Sequence, residues 1–114
     1  MEKIKVIVAD DHGQNATFIA TSLENVGFKC FEAASADEAI RIAKREDVKI
    51  IIANTNVDRV KAYELAKQNP DKKIIMLDGD EEDLKQASKT KNIIGIIEKP
   101  VDVSKIADII KKIT

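Results

Sequence analysis

The chain has 114 residues, enough for one domain spanning 1–114 with a core that needs no staples. Hydrophobic residues make up 44% and aromatics only 4%, so the core has to be built from Ile, Val, Leu and Ala. Charged residues reach 34% yet cancel to a formal net charge of −1, which excludes a whole-molecule field for nucleic acid or an anionic membrane.

Strand and helix patterns alternate from end to end without a Gly/Ser-rich linker, low-complexity tract or internal repeat. Residues 4 to 9 form the first predicted strand, which runs into Asp10-Asp11-His12-Gly13. Ala16, Ile19, Leu23 and Val26 then recur at helical spacing, and Gly27 is placed to end that helix. Asn15-Ala16-Thr17 matches a glycosylation sequon, but without an export signal it carries no weight. The second strand covers 28 to 33 and contains Cys30, the only cysteine. A single cysteine cannot form an internal disulfide and fits a reducing compartment; within a strand it reads as a small buried hydrophobe. Ser35 and Glu38 have capping-box spacing, starting a helix that turns Ala39, Ile40 and Ala43 inward.

The third strand is the stretch Val48 to Asn56. Ile50, Ile51, Ile52 and Ala53 show no polar alternation, which suits a central strand covered on both faces. A helix through Tyr63, Leu65 and Ala66 follows and ends at Asn69-Pro70. Residues 73 to 77 make the fourth strand, and Asp80 caps a short polar helix anchored by Leu84 and Ala87. The fifth strand covers 93 to 98. Asp102 caps the last helix, whose Ile106, Ile109, Ile110 and Ile113 form an apolar stripe.

Five strands alternating with five helices predict an α/β, doubly wound parallel sheet, because each parallel crossover must be right-handed and helix-covered. No apolar run approaches the roughly 18 residues that span a bilayer, and no secretory signal is present, so a cytoplasmic protein is expected.

In such a sheet ligands collect beyond the carboxyl ends of the strands. Those ends carry Asp10 and Asp11, Asn54, Asp78, and Glu98-Lys99-Pro100. With the paired acids after the first strand, Leu23 and Gly27 before the second, Ala33 with Glu38-Ala39 leading the second helix, and Gly95 with Lys99-Pro100 at the fifth, nearly the whole chain resembles the CheY-like receiver domains of two-component response regulators. The resemblance implies a flavodoxin-like strand order, 2-1-3-4-5.

It also implies a site. An active receiver moves a phosphoryl group from a kinase histidine, as in a phosphorelay, onto a carboxylate at the end of its third strand. Mg²⁺ is held by acids and a backbone carbonyl, and a lysine meets the phosphoryl charge. By position, Asp10 and Asp11 match the metal-binding acids, Asn56 the carbonyl ligand and Lys99 the lysine.

Three positions depart from that pattern. Asn54 stands at the phosphoacceptor position, and an amide offers no ionised oxygen to attack phosphorus. Asp78 replaces the hydroxyl residue that binds the phosphoryl group, so a carboxylate would repel it. Ile96 replaces the aromatic switch residue. Val57-Asp58 and Lys61-Ala62 also replace the family's Met-Pro and Asp-Gly pairs.

The resemblance therefore implies a pseudo-receiver: no enzyme, no catalytic residue, and a protein-interaction module independent of phosphorylation. No cofactor is required, although Asp10, Asp11 and Asn56 leave room for a weak Mg²⁺ site. Lys99 is expected to pair with Asp78 or to bond the Asn54 carbonyl. The alternative is an active receiver with Mg²⁺ that uses a displaced acceptor, Asp78 or Asp11. Asp10-x-His12 also resembles the start of a cobalamin motif, but Asn15 stands where that motif needs glycine, so His12 is read as an exposed loop residue.

Family resemblance implies a protein partner, namely a histidine kinase, an output domain or a second copy. It would dock on the fourth helix, fifth strand and fifth helix, residues 81 to 113. That face carries Lys85, Lys89, Lys91 and Lys105 beside Glu82 and Asp83.

Overall fold

The structure, a computed structural model, describes residues 2–114. Its five-stranded sheet comprises β1 (Lys5–Ala9), β2 (Lys29–Ala33), β3 (Ile50–Asn54), β6 (Lys73–Leu77) and β7 (Ile93–Ile97). The order is β2-β1-β3-β6-β7 and every pairing is parallel, so the predicted order 2-1-3-4-5 is the one observed. Helices α1 (Gly13–Glu24), α2 (Ala36–Glu46), α3 (Ala62–Gln68), α4 (Glu81–Ser88) and α5 (Val103–Ile113) cover its faces.

Strand period two sorts the apolar residues into two cores. Val6, Val8, Ile50, Ile52, Ile75 and Leu77 pack with α1 and α5. Their neighbours Ile7, Ala9, Ile51, Ala53, Ile74 and Met76 pack with α2 and α3 on the opposite face. The uninterrupted apolar run of β3 follows from this double coverage, since Ile51 and Ile52 are each fully buried on opposite sides. Burying each contributes roughly 1.5–3 kcal/mol.

Local signals set the element ends. Glu38 Oε1 accepts the Ala34 N–H rather than that of Ser35, while Ser35 Oγ accepts the Glu38 N–H at 3.1 Å. The capping box is thus displaced by one residue. Asp102 Oδ1 accepts the Ser104 N–H at 3.0 Å at the start of α5. Beyond α1 the chain reverses at Gly27, whose φ of +103° is open to glycine at low cost.

Four expectations need correction. Val26 lies past the end of α1 and is exposed, because the helix stops at Glu24. The third strand is shorter than the apolar run suggests, and Val48 is buried as part of the left-handed turn at Asp47 that closes α2. Past Asn54 the chain forms an unpredicted ribbon, β4 (Asn56–Val57) against β5 (Val60–Lys61). Its turn places Asp58 and Arg59 at φ +47° and +72°, the pattern of a hairpin turn that normally signals itself by glycine. In α4 it is Asp83, not Leu84, that faces inward with Ala87.

One further tie was not legible in the sequence. Asn92 Nδ2 lies within 2.8–3.0 Å of the carbonyl oxygens of Ala66, Asn69 and Lys72, fastening the end of α3 to the start of β7.

Cys30 sits half-buried on the edge strand. Burial, reinforced by Glu24 and Glu32, pushes its thiol up to about 12. The unfolded thiol ionises near 9, so stability is fully present below that pH and falls as the pH climbs toward the folded value. Alkylation by iodoacetamide at pH 8 is expected to run at least ~100-fold slower than in the urea-unfolded chain, because only the thiolate reacts.

Candidate functional site

Parallel register brings the strand ends level. Ala9 pairs with Ala33 and Ala53, and Asn54 pairs with Leu77, so Asp10, Asn54 and Asp78 stand along one edge of the sheet. Asp10 is only 2% exposed. Its Oδ1 accepts the His12 N–H at 2.9 Å, which turns the chain from β1 into α1. Asp11 remains open to solvent.

His12 closes on both acids. Its Nδ1 lies 3.3 Å from Asp10 Oδ1 and 3.5 Å from Asp11 Oδ1, although the ring is largely exposed. The sequence places His12 in solvent, which is correct, but its contact with the acid pair arises only from the Asp10 turn.

Asn54 is 8% exposed at the tip of β3. Lys99 Nζ reaches across from the end of β7 and donates to Asn54 Oδ1 at 3.1 Å. Of the two partners open to Lys99 in the sequence, the structure shows the amide; among the described residues no ion pair joins Lys99 to Asp78. Asp78 adopts φ +62°, and its N–H donates to Ile97 O at 2.7 Å. Its carboxylate does not join the acid group formed by Asp10, Asp11 and His12. Thr55 Oγ1 donates to Leu77 O at 2.6 Å, bracing the tip of β3 against β6.

The donor set can be tested against Mg²⁺, a hard cation that takes oxygen ligands. Ligand atoms of Asp10, Asp11 and His12 lie within 4.8 Å of one another. Asp10 and Asp11 supply two carboxylates, and the exposed Asn56 follows on β4. These residues fit the ion. Asn54 adds only a neutral oxygen, already engaged by the Lys99 ammonium, which repels a second cation.

A second ionic contact lies beside the site. Asp83 is 4% exposed, and its Oδ2 accepts the Asp80 N–H at 3.1 Å while Asp80 Oδ1 accepts the Asp83 N–H at 2.9 Å. Asp83 Oδ1 also receives Lys61 Nζ at 3.1 Å, joining the ribbon to α4. The bond to Asp83 raises the Lys61 ammonium above its usual value. Asp83 is therefore no part of the exposed docking face on which the sequence places it. Asp80-x-x-Asp83 has capping-box spacing and could have been found; nothing marks Lys61.

Ile96 is 37% exposed on β7, and Leu84 is 38% exposed on α4. A groove of about 210 Å³ opens between α1 and the segment after β7, lined in part by Asp10, Phe18, Lys99 and Val101. Among the described residues no helix is long and apolar enough to cross a membrane.

A five-stranded parallel sheet in this order, with paired acids beside the central strand tip and a lysine bridging to that tip, defines a receiver-type signalling fold. Residues 6–111 match the family described as the response regulator receiver domain, and the chain belongs to it. Among curated proteins it is similar to a probable transcriptional regulator, ycf27, of Porphyridium aerugineum, at 32% identity over 81 residues. That match takes in 68% of this chain but only 33% of the relative, so the chain corresponds to about a third of the relative's length. Among solved structures it is similar to the chemotaxis response regulator CheY4 of Vibrio cholerae, at 19% identity and a TM-score of 0.80 over 99% of this chain and 100% of that one. A CheY-like receiver domain from Methylobacillus flagellatus has 20% identity and a TM-score of 0.86 over the same shares. At such identities these structures show the fold alone.

Proposed function

We propose that this receiver domain of two-component signalling acts as a pseudo-receiver: a protein-interaction module that does not depend on phosphorylation and catalyses no phosphotransfer. The observation that carries the reading is the Lys99–Asn54 hydrogen bond of 3.1 Å. An amide supplies no nucleophilic oxygen, and the lysine that would meet a phosphoryl group already has an acceptor. That bond holds the tip of the central strand in one arrangement.

Asp10, Asp11 and the Asn56 carbonyl would hold Mg²⁺ weakly; when bound, the ion supplies positive charge for phosphoryl oxygens. The chain's own residues do the rest. Lys99 orients the Asn54 amide, and Asp78 stands at the chain position where an active receiver carries a hydroxyl.

Docking is assigned to the face of α4, β7 and α5, where Leu84 and Ile96 stand among Lys85, Lys89, Lys91 and Glu82. A kinase or an output domain of acidic character fits that face. A single unreactive thiol suits a reducing compartment, the cytoplasm.

Incubation with acetyl phosphate and Mg²⁺, followed by intact-mass measurement, is expected to leave the mass unchanged. A phosphoryl adduct on Asp78 or Asp11 would establish the displaced-acceptor alternative instead.

A further inference from the structure

The outward side of α1 carries little charge. In a chain of which 34% is charged, the exposed residues Gln14, Asn15, Thr17, Phe18 and Thr21 of α1 and the adjoining Asn25 are all neutral, and Glu24 at the helix end is its one exposed charge. Phe18 is 60% exposed and Val26 is 53% exposed. Both exceed Leu84 and Ile96, the exposed apolar residues of the α4–β7–α5 face.

Beside Phe18 runs the groove of about 210 Å³, walled by Ile19, Leu77, Pro100 and Val101. Small-ligand pockets usually offer roughly 300–1,000 Å³, so this one is of side-chain rather than ligand size. A second depression on the same α1–α5 side is lined by Val26, Val103, Ala107, Asp108 and Lys111.

We propose that this face binds a second copy of the chain in a two-fold contact, with Phe18 of each copy seated in the groove beside Phe18 of the other. A two-fold contact sets a patch against itself, so the patch must be self-complementary. Neutral residues around an aromatic knob and an apolar groove meet that condition. Asp108 and Lys111 at the rim have opposite signs and can pair reciprocally across the axis. The α4–β7–α5 face is more highly charged, with Lys85, Lys89 and Lys91 beside Glu81 and Glu82, and its apolar residues Leu84 and Ile96 are less exposed than Phe18 and Val26. A strongly charged partner would find on α1 only the single carboxylate of Glu24, at the helix end. Paired aromatics across the axis add attraction beyond area alone.

Lys99 and Asp10 also line the groove, so the seated Phe18 would cover this approach to the Lys99–Asn54 contact. The inference is independent of the reading at Asn54.

Sedimentation analysis of the chain from about 10 μM to about 1 mM tests it. The average mass is expected to rise from 12.6 kDa toward twice that value, with amide shifts of Ile19 and Val101 tracking the dimer fraction. Phe18→Asp is expected to weaken association at least ~30-fold, and Ile96→Asp to leave it unchanged. Phe18 is exposed, so the variant should keep its fold, as circular dichroism would verify. If it did not, Phe18→Ser supplies the same comparison. A monomer at every concentration overturns the proposal and leaves the Asn54 reading intact. So does a dimer that Ile96→Asp abolishes and Phe18→Asp spares.

Discussion

Asn54→Asp is expected to tighten Mg²⁺ binding by about tenfold or more without restoring a signalling switch. The new carboxylate would stand at the tip of β3, level with Leu77 and one strand from Asp10, so a third anionic oxygen joins the two already present. It would also draw Lys99, which now donates to a neutral oxygen at 3.1 Å, into an ion pair. If the proposed reading holds, acceptor and metal site are thereby repaired, but the response to them is not. On the proposed reading, Asp78 would still present a carboxylate where an active receiver has a hydroxyl, and Ile96 would still stand in place of an aromatic switch residue. Titration with Mg²⁺ followed by amide shifts of Asp10 and Asp11 measures the first effect. Spectra taken with acetyl phosphate measure the second, and shifts spreading through residues 78–98 would show that neither Asp78 nor Ile96 blocks the switch. Equal Mg²⁺ affinity in both proteins would sink the argument from carboxylate number.

Asp83→Ala is expected to lower stability by about 2 kcal/mol, from a lost cap and an orphaned Asp80 N–H. For a chain of this size that corresponds to a fall in Tm of about 8 °C. One carboxylate serves three purposes here. It completes the capping box of α4, receives Lys61 from the ribbon, and its residue packs closely on Gly79, where φ +143° strains any side chain and a Cβ would lie 3.0 Å from Asp83 Cβ and 3.2 Å from Met76 Cε. Asp83→Asn keeps an acceptor for the Asp80 N–H and should lose less. Lys61→Ala should also lose less, because that ammonium is about a third exposed and screened by water. If thermal melts rank Lys61→Ala as the most damaging of the three, the ion pair rather than the cap dominates. The Asp83 N–H holds the Asp80 carboxyl below the usual carboxylate range. Its contribution is therefore present above the unfolded value near 3.8 and is lost as the pH falls through the folded one. The clamp ties Asp80, two residues beyond Asp78, to the first turn of α4.

Much of the architecture could be read without coordinates because its causes are local. An apolar run with no polar alternation has to be covered on both sides, so Ile50 to Ala53 had to be central. Ser35, Asp80 and Asp102 cap helices with their own side chains, and the cause lies within three residues of the effect. The ribbon escaped notice because Asp58 and Arg59 adopt positive φ without the glycine that usually announces such a turn. Leu84 and Asp83 misled because a short helix with few apolar residues has no clear inward face until its partners are in place.

The sequence by itself determined the strand and helix alternation, the family, and which residues stand at the strand tips, since each follows from periodicity and from positions close along the chain. Only the tertiary structure decided that Lys99 bonds Asn54 rather than Asp78, that His12 closes on both acids, and that Lys61 meets Asp83. A lysine has three donors on a flexible stem, so its choice of acceptor depends on which oxygen the strand order and local backbone bring within about 3 Å. That proximity is a property of residues 45 positions apart in the chain, and no local pattern encodes it.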